Sequence, residues 1–304
     1  MDVITLRVPS SDGIHTLAGK LYMPDNPVGC FQVVHGMTEH IGRYESFMRA
    51  MADAGYICFG YDNLGHGNTA RHERELGYIA HRDGWRYLVR DVGIFHSEVE
   101  KRFGAFPYVL LGHSMGSFIV RCAVTEGLRP DRLIIMGTGG PNPASGLGLA
   151  LLRSAALLKG ERYVSEGLEG LIFGAYNRRF ADENDRYAWL TTERGVRDVY
   201  RADPFCTFHF TVSALHDLVK LNDIANSRAW FDGVDKTLPM LLVSGKDDPV
   251  GSEGKGVTAV FDRLQKAGAD VRMRLYDGRH EILNDACREQ VVRDILSFCK
   301  GDLS

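Results

Sequence analysis

A glycine-flanked serine that directly follows an apolar run constrains this chain more than any other feature. The segment Gly112–Gly116 has the pattern G-x-S-x-G, comes after the apolar run Tyr108–Leu111, and precedes apolar residues at helical spacing. This order predicts a strand, a tight turn and a helix, with the central Ser114 held in a strained backbone conformation. Only small residues fit two positions before and after that serine. The pattern therefore predicts an accessible Ser114 hydroxyl at the end of a sheet strand, with the Met115 amide facing the same point.

A histidine and a carboxylate that could activate Ser114 each follow a later predicted strand. A serine hydroxyl is a poor nucleophile near neutral pH, so it needs a histidine to take its proton and a carboxylate to orient that histidine. Among the eleven histidines, His280 follows the strand Arg272–Tyr276, and an acidic loop follows the strand Met240–Val243. Because the carboxyl ends of parallel strands meet at one edge of a sheet, we expect both groups near Ser114.

Two adjacent aspartates compete for the role of the carboxylate. Asp247 and Asp248 both lie in the turn-forming segment Gly245–Val250. We favour Asp248, because Pro249 biases the residue before it toward an extended conformation. Asp247 is then a solvated loop charge.

A second turn after an apolar run supplies another backbone donor. His35 and Gly36 follow the predicted strand Phe31–Val34. In this arrangement the Met37 amide faces the same point as the Met115 amide, and the two N–H groups are expected to stabilise a negatively charged oxygen. The alternative is that His35 and Gly36 only end the strand.

Five segments of the chain together resemble one group of enzymes. They are His35–Tyr44, Asp62–Gly67, Gly112–Gly116, Gly245–Val250 and Arg279–Glu281. In combination they are similar to the motifs of the monoacylglycerol lipase and lysophospholipase group of the α/β-hydrolases, and the similarity covers most of the chain outside its middle. The resemblance implies a catalytic triad and two oxyanion donors, which are Ser114, Asp248 and His280, with Met37 and Met115.

The resemblance also implies a class of reaction. It implies a serine hydrolase that cleaves carboxylic esters with a single acyl chain, such as monoacylglycerols or lysophospholipids, through an acyl-enzyme and without a metal or organic cofactor. One alternative is an aminopeptidase-like enzyme that cleaves amides or thioesters, in which acidic residues of the middle region hold a free amine. The acidic residues available for this are Glu161, Glu166, Glu169, Asp182, Glu183 and Asp185. The alternative from another class is a non-catalytic ligand-binding protein on the same fold.

Predicted strands and helices alternate along both ends of the chain. Strands are predicted at Ile4–Val8, Thr16–Met23, Phe31–Val34, Ile57–Tyr61, Tyr108–Leu111, Leu133–Met136, Met240–Val243 and Arg272–Tyr276. Helical patterns occupy Tyr44–Ala54, Gly84–Arg102, Ser117–Glu126, Gly256–Ala267 and Asp285–Lys300. The alternation predicts a mostly parallel sheet of eight strands with helices on both faces, and the resemblance implies that this sheet has the α/β-hydrolase fold. The first two strands, which no helix separates, are expected to form an antiparallel hairpin.

The alternation stops in the middle of the chain. No strand is evident over residues 141–233, and a gap of that length between two sheet strands predicts an inserted helical cap, or lid. Residues 1–140 and 234–304 then form the hydrolase core. An apolar stretch near the start of the cap also indicates a transient contact with lipid.

Several residues of the cap and of the first turn are candidates for substrate contact. The apolar stretch of the cap and a phenylalanine-rich segment after it would line an acyl pocket, and ordinary packing inside the cap is the alternative reading of both. The candidates are His35, Gly36, Leu149, Leu152, Phe205 and Phe208.

Composition excludes several other classes of protein. The 304 residues carry a formal net charge of −3 without a basic patch, which argues against a nucleic-acid partner. No run of 18 apolar residues and no signal-peptide pattern is evident. The six cysteines form no C-x-x-C pair and several lie in apolar runs, so we expect reduced cysteines, no zinc site and a cytoplasmic protein. The sequence carries no signal for an oligomeric state.

Overall fold

The centre of the protein is one eight-stranded sheet. The computed structural model describes residues 1–303. The strands are β1 (Asp2–Pro9), β2 (Thr16–Met23), β3 (Gly29–Val34), β4 (Tyr56–Tyr61), β5 (Tyr108–His113), β6 (Arg132–Met136), β7 (Met240–Gly245) and β8 (Val271–Tyr276). Each of the eight predicted strands is present, and its ends differ from the predicted ones by at most two residues.

Ten α-helices accompany the sheet within the described residues. They are α1 (Glu45–Asp53), α2 (Gly84–Phe103), α3 (Met115–Thr125), α4 (Ser145–Lys159), α5 (Glu166–Phe173), α6 (Arg194–Ala202), α7 (Val212–Ala225), α8 (Arg228–Gly233), α9 (Lys255–Lys266) and α10 (Arg288–Lys300). Short 3₁₀ helices lie at Ile41–Tyr44, Gly67–Thr69, Glu73–Glu75, Arg178–Glu183 and Ile282–Asn284.

The sheet is mostly parallel, as the sequence predicts. Its strand order is β1-β2-β4-β3-β5-β6-β7-β8, and only the β1–β2 and β2–β4 pairs are antiparallel. The other six strands, in the order β4-β3-β5-β6-β7-β8, pair in parallel with their neighbours, so their carboxyl ends lie at one edge of the sheet. This arrangement confirms the α/β-hydrolase fold, and it brings the loops after β3, β5, β7 and β8 to that edge.

Helices cover both faces of the sheet. The central strands β3, β4, β5 and β7 are buried along their whole length, and β6 is buried except at Arg132, which matches their mostly apolar sequences. On one face the buried core includes Val92 of α2, Ile119 of α3 and Val260 of α9. On the other face it includes Met48 of α1 and Ile295 of α10.

The strand-to-helix turn at Ser114 is strained and tightly packed. Ser114 has φ 53° and ψ −120°, an unusual backbone conformation for a residue with a side chain. A Cβ atom on Gly116 would lie 2.1 Å from the carbonyl oxygen of Val34, and one on Gly112 would lie 2.3 Å from that of Gly116. The two glycines are therefore required for α3 to pack against the ends of β3 and β5.

Five α-helices, α4 to α8, lie between β6 and β7, where the sequence predicts an inserted cap. Three of them begin at a hydroxyl residue that accepts a hydrogen bond from the amide three positions later, a common N-terminal signal. These residues are Ser165, Thr211 and Ser227. The assignment of 141–233 to a separate cap, with 1–140 and 234–304 as the core, stays a prediction, and the word cap is used below only as a label for residues 141–233.

Two further structural findings concern the environment of the chain. Within residues 1–303, no helix combines the length and the apolar character that crossing a bilayer requires. All six cysteines are free thiols, and four of them are buried.

The packing at Gly116 gives a test of the fold around the turn. We expect Gly116→Ala to destabilise the protein by about 1–3 kcal/mol, because the added methyl group has no space beside Val34. Gly93→Ala is the matched control: the position lies inside α2, where the new methyl would meet only an ordinary contact at 3.6 Å. Helix propensity predicts that this control raises stability by about 1 kcal/mol. Denaturant unfolding measures both, and equal effects would contradict the packing.

Candidate active site

The loops after β7 and β8 hold a buried carboxylate–imidazole pair. His280 Nδ1 lies 2.9 Å from Asp248 Oδ1, and both side chains are buried. The other carboxylate oxygen, Asp248 Oδ2, accepts a hydrogen bond of 3.1 Å from the Ser244 hydroxyl. The Val250 amide donates to Asp248 Oδ1 over 2.9 Å. This arrangement fixes the carboxylate and leaves the Nε2 atom of the imidazole for other chemistry.

Electrostatics keep the Asp248 carboxyl ionised. Burial alone raises its pKa, but the neighbouring His280, through its charge and its hydrogen bond, outweighs burial and lowers the pKa below the ordinary value. The side chain of Asp247 lies in a different environment, because it is partly exposed and forms an ion pair of 2.8 Å with Arg179. The structure thus pairs the imidazole with the aspartate that the sequence favours.

Ser114 and His280 line one cavity at the carboxyl edge of the sheet. This cavity, here called the catalytic cavity, has a volume of about 620 Å³. Met37 from the loop after β3 also lines it. Helices α4 and α5 contribute apolar residues to its lining, with Leu147 and Leu171 among them. Its size is typical of a site that encloses a small organic molecule.

Two backbone amides beside Ser114 have no acceptor. Neither the Met37 nor the Met115 amide donates a hydrogen bond to another described residue. The loop that carries Met37 lies close to the serine, since a Cβ on Gly36 would be 2.9 Å from the Ser114 Cβ. Met115 is the first residue of α3, where amides have no partner within the helix. Both N–H groups are therefore available to a negatively charged oxygen at this place.

A buried ion pair lies behind the serine. Glu39 Oε1 accepts hydrogen bonds from the Gly36 amide over 2.5 Å and from the Tyr44 hydroxyl over 2.8 Å, and lies 3.1 Å from His113 Nδ1. Burial lowers the pKa of His113, but the Glu39 carboxylate more than reverses this and raises it. With the ring protonated, its Nε2 donates to the carbonyl oxygen of His280 over 3.2 Å. The pair thus ties the loop after β3 to the loop after β8.

A second ion pair joins the same two loops. Arg43 makes a bidentate contact with Glu281, in which Nη2 lies 2.7 Å from Oε2. The guanidinium group also covers the ring of Tyr200 in α6, with 4.7 Å between Cζ and the ring centroid. The sequence resemblance includes Arg43 and Glu281 but assigns neither a role, and it does not include Tyr200.

The cap contributes an aromatic residue that the sequence did not indicate. The Trp189 ring centroid lies 5.1 Å from that of His280. The residues that follow Trp189 and His280 are also joined by a backbone hydrogen bond, in which the Glu281 amide donates to the Leu190 carbonyl oxygen over 2.7 Å. Trp189 lies outside any helix or strand, so no periodicity marks it as part of the site.

The structure corrects the predicted lining of the acyl pocket. Leu149 and Leu152 do not border the catalytic cavity; Leu147 and Leu151 of the same helix do. Leu152 is buried in the main core instead. Because α4 is apolar on several faces, its sequence does not show which face turns to the cavity.

The other candidates for substrate contact also lie elsewhere. His35 is fully buried, and its Nε2 accepts the Asn63 amide over 2.9 Å. Gly36 is buried with its amide bound to Glu39, and neither residue borders the catalytic cavity. Phe205 packs against His40, with 5.8 Å between ring centroids.

Phe208 borders a second cavity of about 450 Å³ instead. This second cavity shares five lining residues with the catalytic cavity but does not include Ser114. The shared residues are Met37, Thr38, Phe173, Trp189 and Tyr200.

Most acidic residues of the middle region are already paired. Glu161 bonds His81, Glu169 bonds His209, and Glu183 and Asp185 form ion pairs with arginines. The other two acidic residues, Asp182 and Glu166, have no ion-pair partner among residues 1–303. Asp182 borders neither cavity, and Glu166 borders the second cavity but not the catalytic one. A dedicated site for a free amine at the catalytic cavity is therefore not favoured.

One group of potential metal ligands lies between the loop after β3 and the cap. Its members are His40, Asp203 and Cys206, whose donor atoms lie within 4.8 Å of one another. His40 and Asp203 are joined by a hydrogen bond of 2.9 Å. Burial raises the pKa of the Cys206 thiol well above its ordinary value, which disfavours the thiolate that a metal ion would require.

Comparison with known proteins identifies the family. The model of the family described as serine aminopeptidase, S33, matches residues 25–286. That range contains Ser114, Asp248 and His280 and covers most of the chain. The protein therefore belongs to this family of α/β-hydrolases.

Particular relatives extend this identification. A monoacylglycerol lipase of Mycolicibacterium smegmatis is 27% identical and aligns with 97% of this chain and 100% of its own length. A monoglyceride lipase of Rattus norvegicus is 26% identical over 85% of this chain and 77% of its own. A thermostable carboxyl esterase of Bacillus coagulans, solved with glycerol, superimposes with a TM-score of 0.92 at 28% identity, with both chains fully covered.

The two neighbouring aspartates allow a matched test of the site. We expect Asp248→Asn to slow the labelling of Ser114 by a fluorophosphonate probe by about 10⁴-fold, because the imidazole loses its orienting carboxylate. Asp247→Asn should label within about threefold of wild type, because its exposed ion pair contributes little. The rate of labelling at fixed probe concentration measures both. The opposite ranking would assign the acid to Asp247.

Proposed function

We propose that this protein is a serine hydrolase that cleaves single-chain acyl esters, of which monoacylglycerols and lysophospholipids are examples. Membership of a hydrolase family and the likeness to lipases and a carboxyl esterase support ester hydrolysis. The observation that carries the proposal is the convergence of Ser114, the Asp248–His280 pair and two unpaired amides at a largely apolar cavity.

In the proposed mechanism, His280 Nε2 takes the proton of Ser114 while the serine oxygen attacks the acyl carbon. The carbonyl oxygen gains negative charge, which the Met37 and Met115 amides stabilise. His280 then gives the proton to the departing alcohol, and an acyl-serine remains. His280 then takes a proton from a water molecule as the water oxygen attacks the acyl carbon. His280 returns this proton to the Ser114 oxygen as the bond between the serine and the acyl group breaks, and the acid leaves. Asp248 stays ionised throughout and stabilises the imidazolium.

The lining of the catalytic cavity supports a substrate with an apolar acyl chain. Residues of the predicted cap contribute an apolar part of this lining, and its members are Leu147, Leu151, Leu171, Ile172, Leu218 and Val219. Burying a methylene group against such a lining contributes about 0.8 kcal/mol. Longer acyl chains should therefore bind more tightly until the cavity is filled.

Exposed leucines of the cap support a transient contact with a lipid surface. Four leucines of α4 and α5 are between 68% and 83% exposed, namely Leu147, Leu157, Leu158 and Leu171. Leu147, Leu151 and Leu158 share one side of α4 by helical spacing, and the first two border the catalytic cavity. A lipid surface at this place would meet the mouth of the cavity. The free, mostly buried cysteines support a cytoplasmic location, which fractionation of cells would test.

Substitution inside the cavity tests the acyl site. For p-nitrophenyl esters of two to sixteen carbons, we expect the highest kcat/KM at medium or long chains, and Ser114→Ala should abolish it. Leu151→Trp should lower kcat/KM about tenfold for long chains and less than twofold for acetyl esters, because the indole fills part of the cavity. Ala150→Trp is the control, since this neighbour is exposed and does not border the cavity.

Two outcomes of this experiment would contradict the proposal. Activity confined to acetyl and butyryl esters would mean that the cavity does not hold the acyl chain. A Ser114→Ala variant with more than about a tenth of wild-type activity would reject the nucleophile.

The lipid contact has a separate test. Replacing Leu157 and Leu158 together by serine should reduce sedimentation with phosphatidylcholine vesicles at least threefold and leave hydrolysis of soluble esters unchanged. Val199→Ser serves as control, because Val199 is 69% exposed but lies on α6. Equal sedimentation of all three proteins would refute the contact.

A further inference from the structure

The residue after the proposed oxyanion donor Met37 has a strained backbone. Thr38 has φ 49°, in the left-handed region. A β-branched side chain is rarely found there, because its Cβ atom crowds the backbone carbonyl oxygen. Such a conformation persists only where surrounding contacts hold it. Because Thr38 follows Met37 directly, its backbone conformation helps to set the direction of the preceding loop.

The contacts that hold Thr38 come from the cap. The Tyr200 hydroxyl donates a hydrogen bond of 2.9 Å to the Thr38 carbonyl oxygen. The same phenol oxygen lies 2.9 Å from Thr38 Oγ1, which can donate to it. Both residues are buried, so water does not replace these bonds easily. The Tyr200 hydroxyl therefore makes hydrogen bonds with both the backbone carbonyl group and the side-chain hydroxyl group of Thr38.

Tyr200 is itself held firmly in place. It lies on the buried side of α6, which it shares with Arg197, and Arg197 pairs with Glu183 over 2.7 Å. The Arg43 guanidinium covers its ring, and that arginine is bound to Glu281, the residue after His280. The phenol is thus connected to the loop of Met37 and to the loop of the imidazole.

We propose that Tyr200 is a positioning residue of the active site, through which the cap completes the oxyanion hole. It acts by holding Thr38 in the left-handed conformation, so that the Met37 amide is directed at the developing oxyanion. A displacement of α6 would withdraw that support and weaken catalysis. This inference rests on the proposed function, because it requires Met37 to stabilise an oxyanion.

Removal of one hydroxyl group tests the inference. Loss of an oxyanion donor costs about 10²–10³ in kcat, and a misdirected donor should cost less. We expect Tyr200→Phe to lower kcat about tenfold with KM changed less than twofold. Its affinity for a trifluoromethyl ketone, which forms a tetrahedral adduct with the serine, should fall by a similar factor. Tyr187→Phe is the matched control: its ring lies 5.1 Å from that of Tyr200, and its hydroxyl has no hydrogen-bond partner among the described residues.

A second variant separates positioning from general destabilisation. Glycine adopts positive φ at little cost. The double variant Thr38→Gly, Tyr200→Phe should therefore have a kcat at least threefold higher than that of Tyr200→Phe alone, with no recovery of thermal stability. Equal kcat for Tyr200→Phe and Tyr187→Phe would overturn the inference. A change confined to KM, or a loss of kcat that only follows a fall in the melting temperature, would also overturn it. If the wild type failed to hydrolyse esters, or Ser114→Ala kept its activity, the proposed function would fail instead.

Discussion

The backbone turn at Ser114 is the constraint on which the rest of the site depends. Its strained conformation is possible because α3 packs directly on the end of β3, where Gly116 meets the Val34 carbonyl oxygen. That packing places the serine beside the loop that follows β3. The parallel order of β5, β6, β7 and β8 then brings the acid and histidine loops to the same edge. A small number of close backbone contacts thus fixes groups that lie far apart in the chain.

Buried charges then lock the loops against one another. Asp248, Glu39, Arg43 and Glu281 are all buried or nearly so, and each has an oppositely charged or hydrogen-bonded partner. Breaking such a pair leaves an uncompensated charge, which commonly costs about 3–5 kcal/mol. The loops that carry the proposed oxyanion donor and the imidazole are therefore not free to move independently. Such rigidity is what a site requires if its dipoles are to be oriented before the reaction begins.

The sequence was informative where chemistry depends on local patterns. The eight strands, the turn at Ser114 and the loops of Asp248 and His280 all follow from short segments with a clear period or a fixed spacing. The cavity lining was less predictable, because α4 is apolar on several faces and Leu147 and Leu151, rather than Leu149 and Leu152, border the cavity. The cap residues Trp189 and Tyr200 reach the site only through long-range contacts. Trp189 is about 90 residues from His280 in the sequence, and Tyr200 is 162 residues from Thr38. No local pattern encodes such contacts.

A crystal structure of the protein after reaction with an alkyl fluorophosphonate would test the central claim most directly. That claim is that Ser114, His280 and the amides of Met37 and Met115 converge on one reacting centre. The expected result is a bond from Ser114 Oγ to phosphorus, with the phosphonyl oxygen about 2.7–3.1 Å from both amide nitrogens and the alkyl chain against the cap leucines. An adduct on another residue, or a phosphonyl oxygen directed away from both amides, would contradict it.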